Sequence, residues 1–369
     1  MRIAYFVHEL ADAAVQKRVR MLQLAGDDVT LLGFERDRGG TQGAHGGIVL
    51  GRTQNRKLLQ RVFAVFGALP RAQAARPAWA DADTIVARNL EMLALVCLLT
   101  MFGRKRPRIA YECLDIHGAV LGRGPLNVLV RAVERACLKR TALIVTSSPA
   151  FERVYFRGMQ HFGGKVLIVE NKVLGAMAAP AAPLGDEPWV IAWCGVLRCR
   201  RSFDLLQRIA ACENGRVKIE LWGSPALDQI PNFHETVAAT PNMSFHGRYA
   251  PEALPSIYAD AHFSWAIDFY EAGANSDWLL PNRLYESLCF GSVPIAVAGV
   301  ETARWLEAHH VGAVLAAPIE DSLAPFLAAM TPAQFRRLRE ATLTLDPNAT
   351  RLSEEGCRAF AAELVGAAA

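Results

Sequence analysis

Short apolar runs recur along the chain, and stretches with apolar residues three and four positions apart fill the intervals between them. Brief runs without strict alternation read as strands covered on both faces, and the longer periodic stretches read as helices with one apolar stripe. In the first half the candidate strands are Ile3–Val7, Val29–Phe34, Thr84–Ala87, Ile109–Glu112, Leu143–Thr146 and Val166–Val169. In the second they are Val190–Cys194, Lys218–Trp222, Met243–Phe245, His262–Ala266 and Val293–Val297. Strand and helix alternate, so the fold class expected is α/β with parallel sheets wrapped by helices. Two such sets predict two doubly wound, Rossmann-like domains, residues 1–172 and 173–352. The segment VLGAMAAPAAPLGDEP, from Val173, is rich in Ala, Pro and Gly and marks the break. A last helix is expected over Ser353 to Ala369.

In an open parallel sheet, ligands bind beyond the carboxyl ends of the strands. His8, Glu9, His117, Arg198, Gly223 and Arg248 each follow a candidate strand. Asp81-Ala82-Asp83 has the D-x-D form of a metal-binding motif but precedes its strand, so it reads as a surface loop and no metal is expected there.

Composition narrows the possibilities. The 369 residues are 52% hydrophobic, enough for two cores. The longest apolar candidate, Leu93 to Phe102, falls short of the ~18 residues a membrane-spanning helix needs. His8 and Glu9 interrupt the N-terminal run too early for a signal peptide, so a cytoplasmic protein is expected. Eight cysteines form no C-x-x-C pair, which favours reduced, packed thiols over zinc or disulfides. The net charge of +4 hides an asymmetry, because residues 1–170 hold 25 Lys and Arg against 14 Asp and Glu, and the remainder 15 against 22. A basic first half suits an anionic membrane surface or a phosphorylated acceptor. Nucleic acid is not expected, since no zinc signature, recognition-helix pattern or aromatic-basic interleaving is present. Nor does a G-x-G-x-x-G loop follow Ile3–Val7, which disfavours a dehydrogenase.

Three segments carry the candidate chemistry. In WLLPNRLYESLCFGSVPIAV, Trp278 to Val297, Pro281 suits a first helical turn, and Gly291 stops the helix before a buried strand. Asn282 and Arg283 then sit where free amides and the positive dipole end favour phosphate, and Glu286 projects from nearly the same face, able to accept from a ribose diol. The plain alternative is an amphipathic helix feeding a strand. In WCGVLRCRRSFDLL, from Trp193, Gly195 permits close backbone approach, and Arg198, Arg200 and Arg201 bring guanidinium groups to the strand end. From Arg52 to Arg76, apolar residues mix with Arg56, Lys57 and Arg61, a composition that suits either an amphipathic helix on an anionic bilayer or a helix packed on a sheet. Arg104, Lys105 and Arg106 add a second basic patch.

The Pro281 to Glu286 pattern, followed by Gly-x-Pro, resembles the donor-site helix of GT-B glycosyltransferases, above all the large retaining family-four (group 1) type and its relatives in bacterial exopolysaccharide assembly. The resemblance implies two Rossmann-like domains facing a central cleft, the N-terminal one binding the acceptor and the C-terminal one the donor, with the terminal helix crossing back onto the first. It implies that Glu286 binds the ribose and Arg283 the diphosphate. Gly195 and Arg201 resemble the family's Gly and the Lys six residues later. Val196 stands where the family has Arg, so Arg198 substitutes. Gly247-Arg248-Tyr249-Ala250-Pro251-Glu252 resembles the segment flanking the nucleobase, with Tyr249 a stacking candidate or a core tyrosine. In the loop Asp268 to Asp277, Asn275 and Ser276 are further diphosphate candidates. The pattern departs at Trp278, where many members carry a second Glu, which leaves retention or inversion open.

The implied activity is transfer of a sugar from a nucleotide-sugar, with UDP expected, to a lipid-linked or oligosaccharide acceptor in bacterial cell-surface polysaccharide synthesis. The nucleotide-sugar is a substrate, and neither a cofactor nor a metal is expected. Such transfer needs charge stabilisation at the leaving diphosphate and a proton acceptor for the attacking hydroxyl. In YECLDIHGAV, Asp115 is the base expected for an inverting reaction, with His117 second; in a retaining one His117 orients the donor sugar. Localisation is expected to be peripheral, on the inner face of the cytoplasmic membrane. The alternatives are a nucleotide-sugar epimerase of the same fold and a non-catalytic protein that binds anionic membranes.

Overall fold

The computed structural model describes residues 1–36, 46–53, 67–101, 103, 106–116, 118–175, 186–212 and 215–366. The chain forms two compact units, one made of Met1–Glu170 with Ser353–Ala369, the other of Asn171–Leu352.

In the first unit the strands are β1 (Arg2–Val7), β2 (Asp28–Arg36), β3 (Ile48–Thr53), β4 (Thr84–Arg88), β5 (Arg108–Glu112), β6 (Leu143–Thr146) and β7 (Lys165–Ile168). They lie in the order β3-β2-β1-β4-β5-β6-β7, all parallel. β4, between β1 and β5, is buried at every position, as expected of an interior strand of a parallel sheet. β3 was not among the strands expected, because Gly51 interrupts its apolar run and the register shifts at Gly33/Phe34.

Glu112 ends β5 as a buried hub. Its carboxylate accepts from Arg18 Nε at 2.6 Å, from Arg88 Nη1 at 3.1 Å and from the Tyr5 hydroxyl. Burial alone would raise this carboxyl, yet the guanidinium groups of Arg18 and Arg88 outweigh it and hold it below the ordinary carboxylate range. The helix Glu354–Val365 belongs to this unit. Ser353 caps it by accepting from Gly356 N at 3.1 Å, and Gly366 ends it at φ 74°. Its buried residues Cys357, Phe360, Ala361 and Leu364 follow helical spacing, the Arg18 guanidinium sits 4.7 Å over the Phe360 ring, and Arg108 Nε donates to Leu364 O at 2.9 Å.

In the second unit a short pair, β8 (Val173–Leu174) and β15 (Arg351–Leu352), stands apart from the main sheet. That sheet comprises β9 (Trp189–Leu197), β10 (Val217–Pro225), β11 (Met243–Phe245), β12 (Phe263–Trp265), β13 (Val293–Val297) and β14 (Ala313–Leu315), in the order β11-β10-β9-β12-β13-β14 and again parallel. β8 and β15 are two residues long, too little for a pattern to register in the sequence, and β14, at three, was not expected either. Trp189, Trp193 and Trp265 fill the core. In both sheets the first and fourth strands of the set are neighbours, and the winding reverses between them. A crevice therefore opens beyond the ends of β1 and β4, and another beyond β9 and β12.

Glu112→Ala leaves two buried guanidinium groups without their shared anion, and is expected to cost about 3–5 kcal/mol in urea denaturation. Because the folded carboxyl titrates low, this contribution is present at neutral pH, above the unfolded value, and is lost as pH falls through the folded one. An unchanged urea midpoint would refute the hub.

Candidate functional site

The crevice of the second unit is built on a close backbone approach. Gly195 on β9 pairs in register with Gly223 on β10, at φ 115° and 130°, both in the region only glycine adopts readily. A Cβ on Gly223 would stand 1.8 Å from the Gly195 carbonyl oxygen, so a side chain there is impossible without moving the strand. A Cβ on Gly195 would meet no atom within 4 Å. Ligand atoms can therefore come up against the backbone of Gly195.

The helix Asn282–Cys289 lies at the same edge. Pro281 does not occupy its first turn, as the sequence suggested, but caps it from extended backbone at ψ 153°, leaving Asn282 and Arg283 to open the helix. Arg283 Nη2 donates to the Ile267 carbonyl, just past β12, at 2.9 Å, while its buried Nε has no hydrogen-bond partner among the described residues. Glu286, on the next turn, accepts from the Tyr258 hydroxyl at 3.4 Å. Cys194, Tyr249 and Tyr258 surround it. Burial first, and the Glu286 carboxylate after it, push the Tyr249 phenol up, and they raise the Cys194 thiol to about 12. At the far end, Arg351 Nη2 donates to Cys289 O at 3.3 Å and Arg339 Nε to Gly291 O at 3.2 Å, so cations satisfy the carbonyls where the dipole is negative.

The arginines after β9 are more committed than their spacing suggested. Arg200 forms a local pair with Asp204 at 2.7 Å. Arg201 donates from Nε to Glu320 Oε1 at 2.7 Å and from Nη2 to Oε2 at 2.9 Å, and its guanidinium lies 4.1 Å over the Phe269 ring. The hydrogen bonds from Arg201 hold the Glu320 carboxyl at about 2. Arg201 is thus already paired, and two arginines at a helix start, unfavourable against the dipole, are offset by carboxylates of the same unit. Arg198 is less constrained: its guanidinium lies 4.5 Å over Tyr270 and 3.8 Å from the Asp268 carboxylate. The backbone and rings of the loop Ile267–Tyr270 are therefore touched by Arg198, Arg201 and Arg283, which brings these three predicted residues to one segment. Phe269, Tyr270 and Tyr258 were not singled out from the sequence, although the first two follow a strand end. In the same region Ser276 Oγ accepts from Glu271 N at 2.9 Å, which folds the loop on itself, and Asn275 is buried. Asn282 is exposed at the helix start.

In the first unit, Asp115 is exposed in the bend after β5, and its carbonyl accepts from Cys113 Sγ at 3.5 Å. His8, Glu9 and Asp12 gather after β1, their ligating atoms within 4.8 Å of one another. Asp12 also caps the helix Ala13–Leu24, and the Arg88 guanidinium 3.8 Å away supplies positive charge there. His117, Arg56, Lys57, Arg61, Arg104 and Lys105 lie outside the described residues, and Arg106 is exposed.

No family model matches the chain. The succinoglycan biosynthesis protein ExoL of Rhizobium meliloti (strain 1021) is 40% identical over 99% of the chain and 93% of its own length. The chain belongs to the ExoL family. Among solved structures, sucrose-phosphate synthase from Thermosynechococcus elongatus matches at TM-score 0.75 and 15% identity over 99% of this chain and 98% of its own. HepE from Anabaena, solved in complex with UDP-glucose, matches at TM-score 0.68 and 14% identity over 100% of both chains. These likenesses give the ExoL-family chain the GT-B fold, with its two doubly wound sheets.

The paired glycines are separable by mutation. Gly195→Ala introduces backbone strain of about 1–3 kcal/mol without a clash. Gly223→Ala, driven into the β9 backbone, should lower the thermal midpoint further. Equal midpoints for the two variants would contradict this geometry.

Proposed function

We propose that this ExoL-family protein is a glycosyltransferase of exopolysaccharide synthesis that moves a sugar from a UDP-sugar donor to a lipid-linked or oligosaccharide acceptor. The observation that carries the donor side is Arg283, whose guanidinium is held at the end of β12 by one backbone carbonyl while its buried Nε has no acceptor among the described residues. A buried donor of this kind calls for an anion. The amides of the opening turn of Asn282–Cys289 and its positive dipole end favour the same charge. In this reading the diphosphate lies between that turn and the backbone of Gly195, Glu286 takes the ribose hydroxyls, and Tyr249 packs near the base. Arg198 adds a second cation, and Arg201 acts mainly by bracing the Phe269 loop against Glu320. Charge that develops on the leaving UDP is met by guanidinium and helix dipole, with no metal ion given a role.

The first unit would take the acceptor. Asp115, exposed after β5, is the proposed base for an attacking hydroxyl if configuration inverts, and His117 the group that orients the donor sugar if it is kept. No helix of the described residues is long and apolar enough to cross a membrane, so access to a lipid-linked acceptor calls for peripheral docking on an anionic inner surface. Support comes from the name and 40% identity of ExoL and from the HepE complex. Neither the epimerase nor the non-catalytic alternative has comparable support.

Calorimetric titration with nucleotides tests the donor site. UDP is expected to bind, and Arg283→Ala and Glu286→Ala each to weaken it about 10- to 100-fold, the loss of a charge-assisted hydrogen bond worth ~1.5–3 kcal/mol. Arg201→Ala should weaken it less. If the wild-type protein binds no nucleotide, the transferase reading fails.

A further inference from the structure

The helix Pro125–Leu138 presents its apolar side to solvent. Leu126, Leu129 and Val133 recur at helical spacing and are 52%, 60% and 44% exposed, with Val128 beside them at 51%. Its inward side carries Glu134, Cys137 and Leu138. The orientation is enforced from within. Glu134, 2% exposed, accepts from the Tyr111 hydroxyl at 2.8 Å and also from Tyr155 and Gln160. Arg131 Nη1 donates to the carbonyls of Val120 at 2.7 Å and Gly122 at 2.6 Å, and just past the helix Arg140 Nη1 donates to Cys97 O at 2.6 Å. Rotating the leucines inward would break these bonds and leave buried polar groups unpaired, so the outward apolar stripe belongs to the fold.

The exposed charges on the helix and its flanking residues have one sign. Arg123, Arg135 and Lys139 are exposed, and between Gly118 and Thr141 the single acidic residue is the buried Glu134. We infer that the helix 125–138 is a docking element that lies on an anionic lipid bilayer, with Leu126, Leu129 and Val133 among the headgroups and the flanking cations on lipid phosphate. A second copy of the chain fits less well. A two-fold interface would set this basic rim against itself, and a helix face ~20 Å long and ~10 Å wide offers roughly 200 Å², against about 800 Å² per partner in a stable pair. The inference rests on the peripheral reading proposed above and assigns it to residues not previously implicated.

Co-sedimentation with phosphatidylcholine vesicles, with and without phosphatidylglycerol, run beside a UDP titration, tests it. The wild-type protein should sediment only with phosphatidylglycerol, and less so as salt rises. Leu129→Glu/Val133→Glu, on exposed positions, should cut this partition roughly tenfold or more while UDP affinity and the thermal midpoint stay unchanged. A wild-type protein that ignores anionic vesicles, or a double variant that sediments undiminished, overturns the inference. So does a dimer in sedimentation equilibrium that the double variant dissolves. Sedimentation without UDP binding would keep the docking helix and remove the nucleotide-sugar reading.

Discussion

The close approach of β9 and β10 at Gly195 and Gly223 is the constraint on which the candidate site depends. The two strand ends can converge there only because Gly223 carries no Cβ, and the space in front of Gly195, where a Cβ would meet nothing within 4 Å, stays open. Parallel packing places every strand end on that edge, and the reversal between β9 and β12 opens the crevice. The opening of Asn282–Cys289 then needs only its own amides and one guanidinium to make the place suit a phosphate.

The two sheets share a strand order but treat their charges differently. In the first unit, Glu112 is enclosed by Tyr5, Arg18 and Arg88, which answer each other's hydrogen-bonding and charge requirements. Such a cluster stabilises and specifies; it has little left to offer a ligand. In the second unit, Arg283 is positioned by a carbonyl, which supplies no countercharge, and its Nε has no partner among the described residues. A guanidinium oriented but not neutralised is suited to an anion that arrives and leaves. Arg201, clamped by Glu320, falls between these cases and is better placed to hold the Phe269 loop than to grip phosphate by itself.

Much of the core of both sheets was legible in the chain. Leu143–Thr146, Met243–Phe245 and Val293–Val297 are strands at the limits their apolar runs suggest, since a buried parallel strand needs only such a run. β3 escaped because a glycine interrupts its run, and β8 and β15 because two residues show no period; β14, as short as Met243–Phe245, was not singled out. In the candidate site, Arg283, Glu286 and Gly195 stood out by type and spacing along contiguous segments. Tyr258, Phe269 and Tyr270 did not, because an aromatic near a strand end reads as core until its neighbours are known.

The amino-acid order alone determined the alternation of strand and helix, the glycine at each tight backbone approach and the Pro-Asn-Arg helix opening, all of which are local properties of consecutive residues. Which charges are already answered was decided only by the tertiary structure. Glu320 reaches Arg201, Tyr111, Tyr155 and Gln160 hold Glu134 and so keep the helix 125–138 apolar side out, and Ile267 holds Arg283, each from another part of the chain. Pairing depends on distance in space, and a one-dimensional pattern carries no measure of that distance.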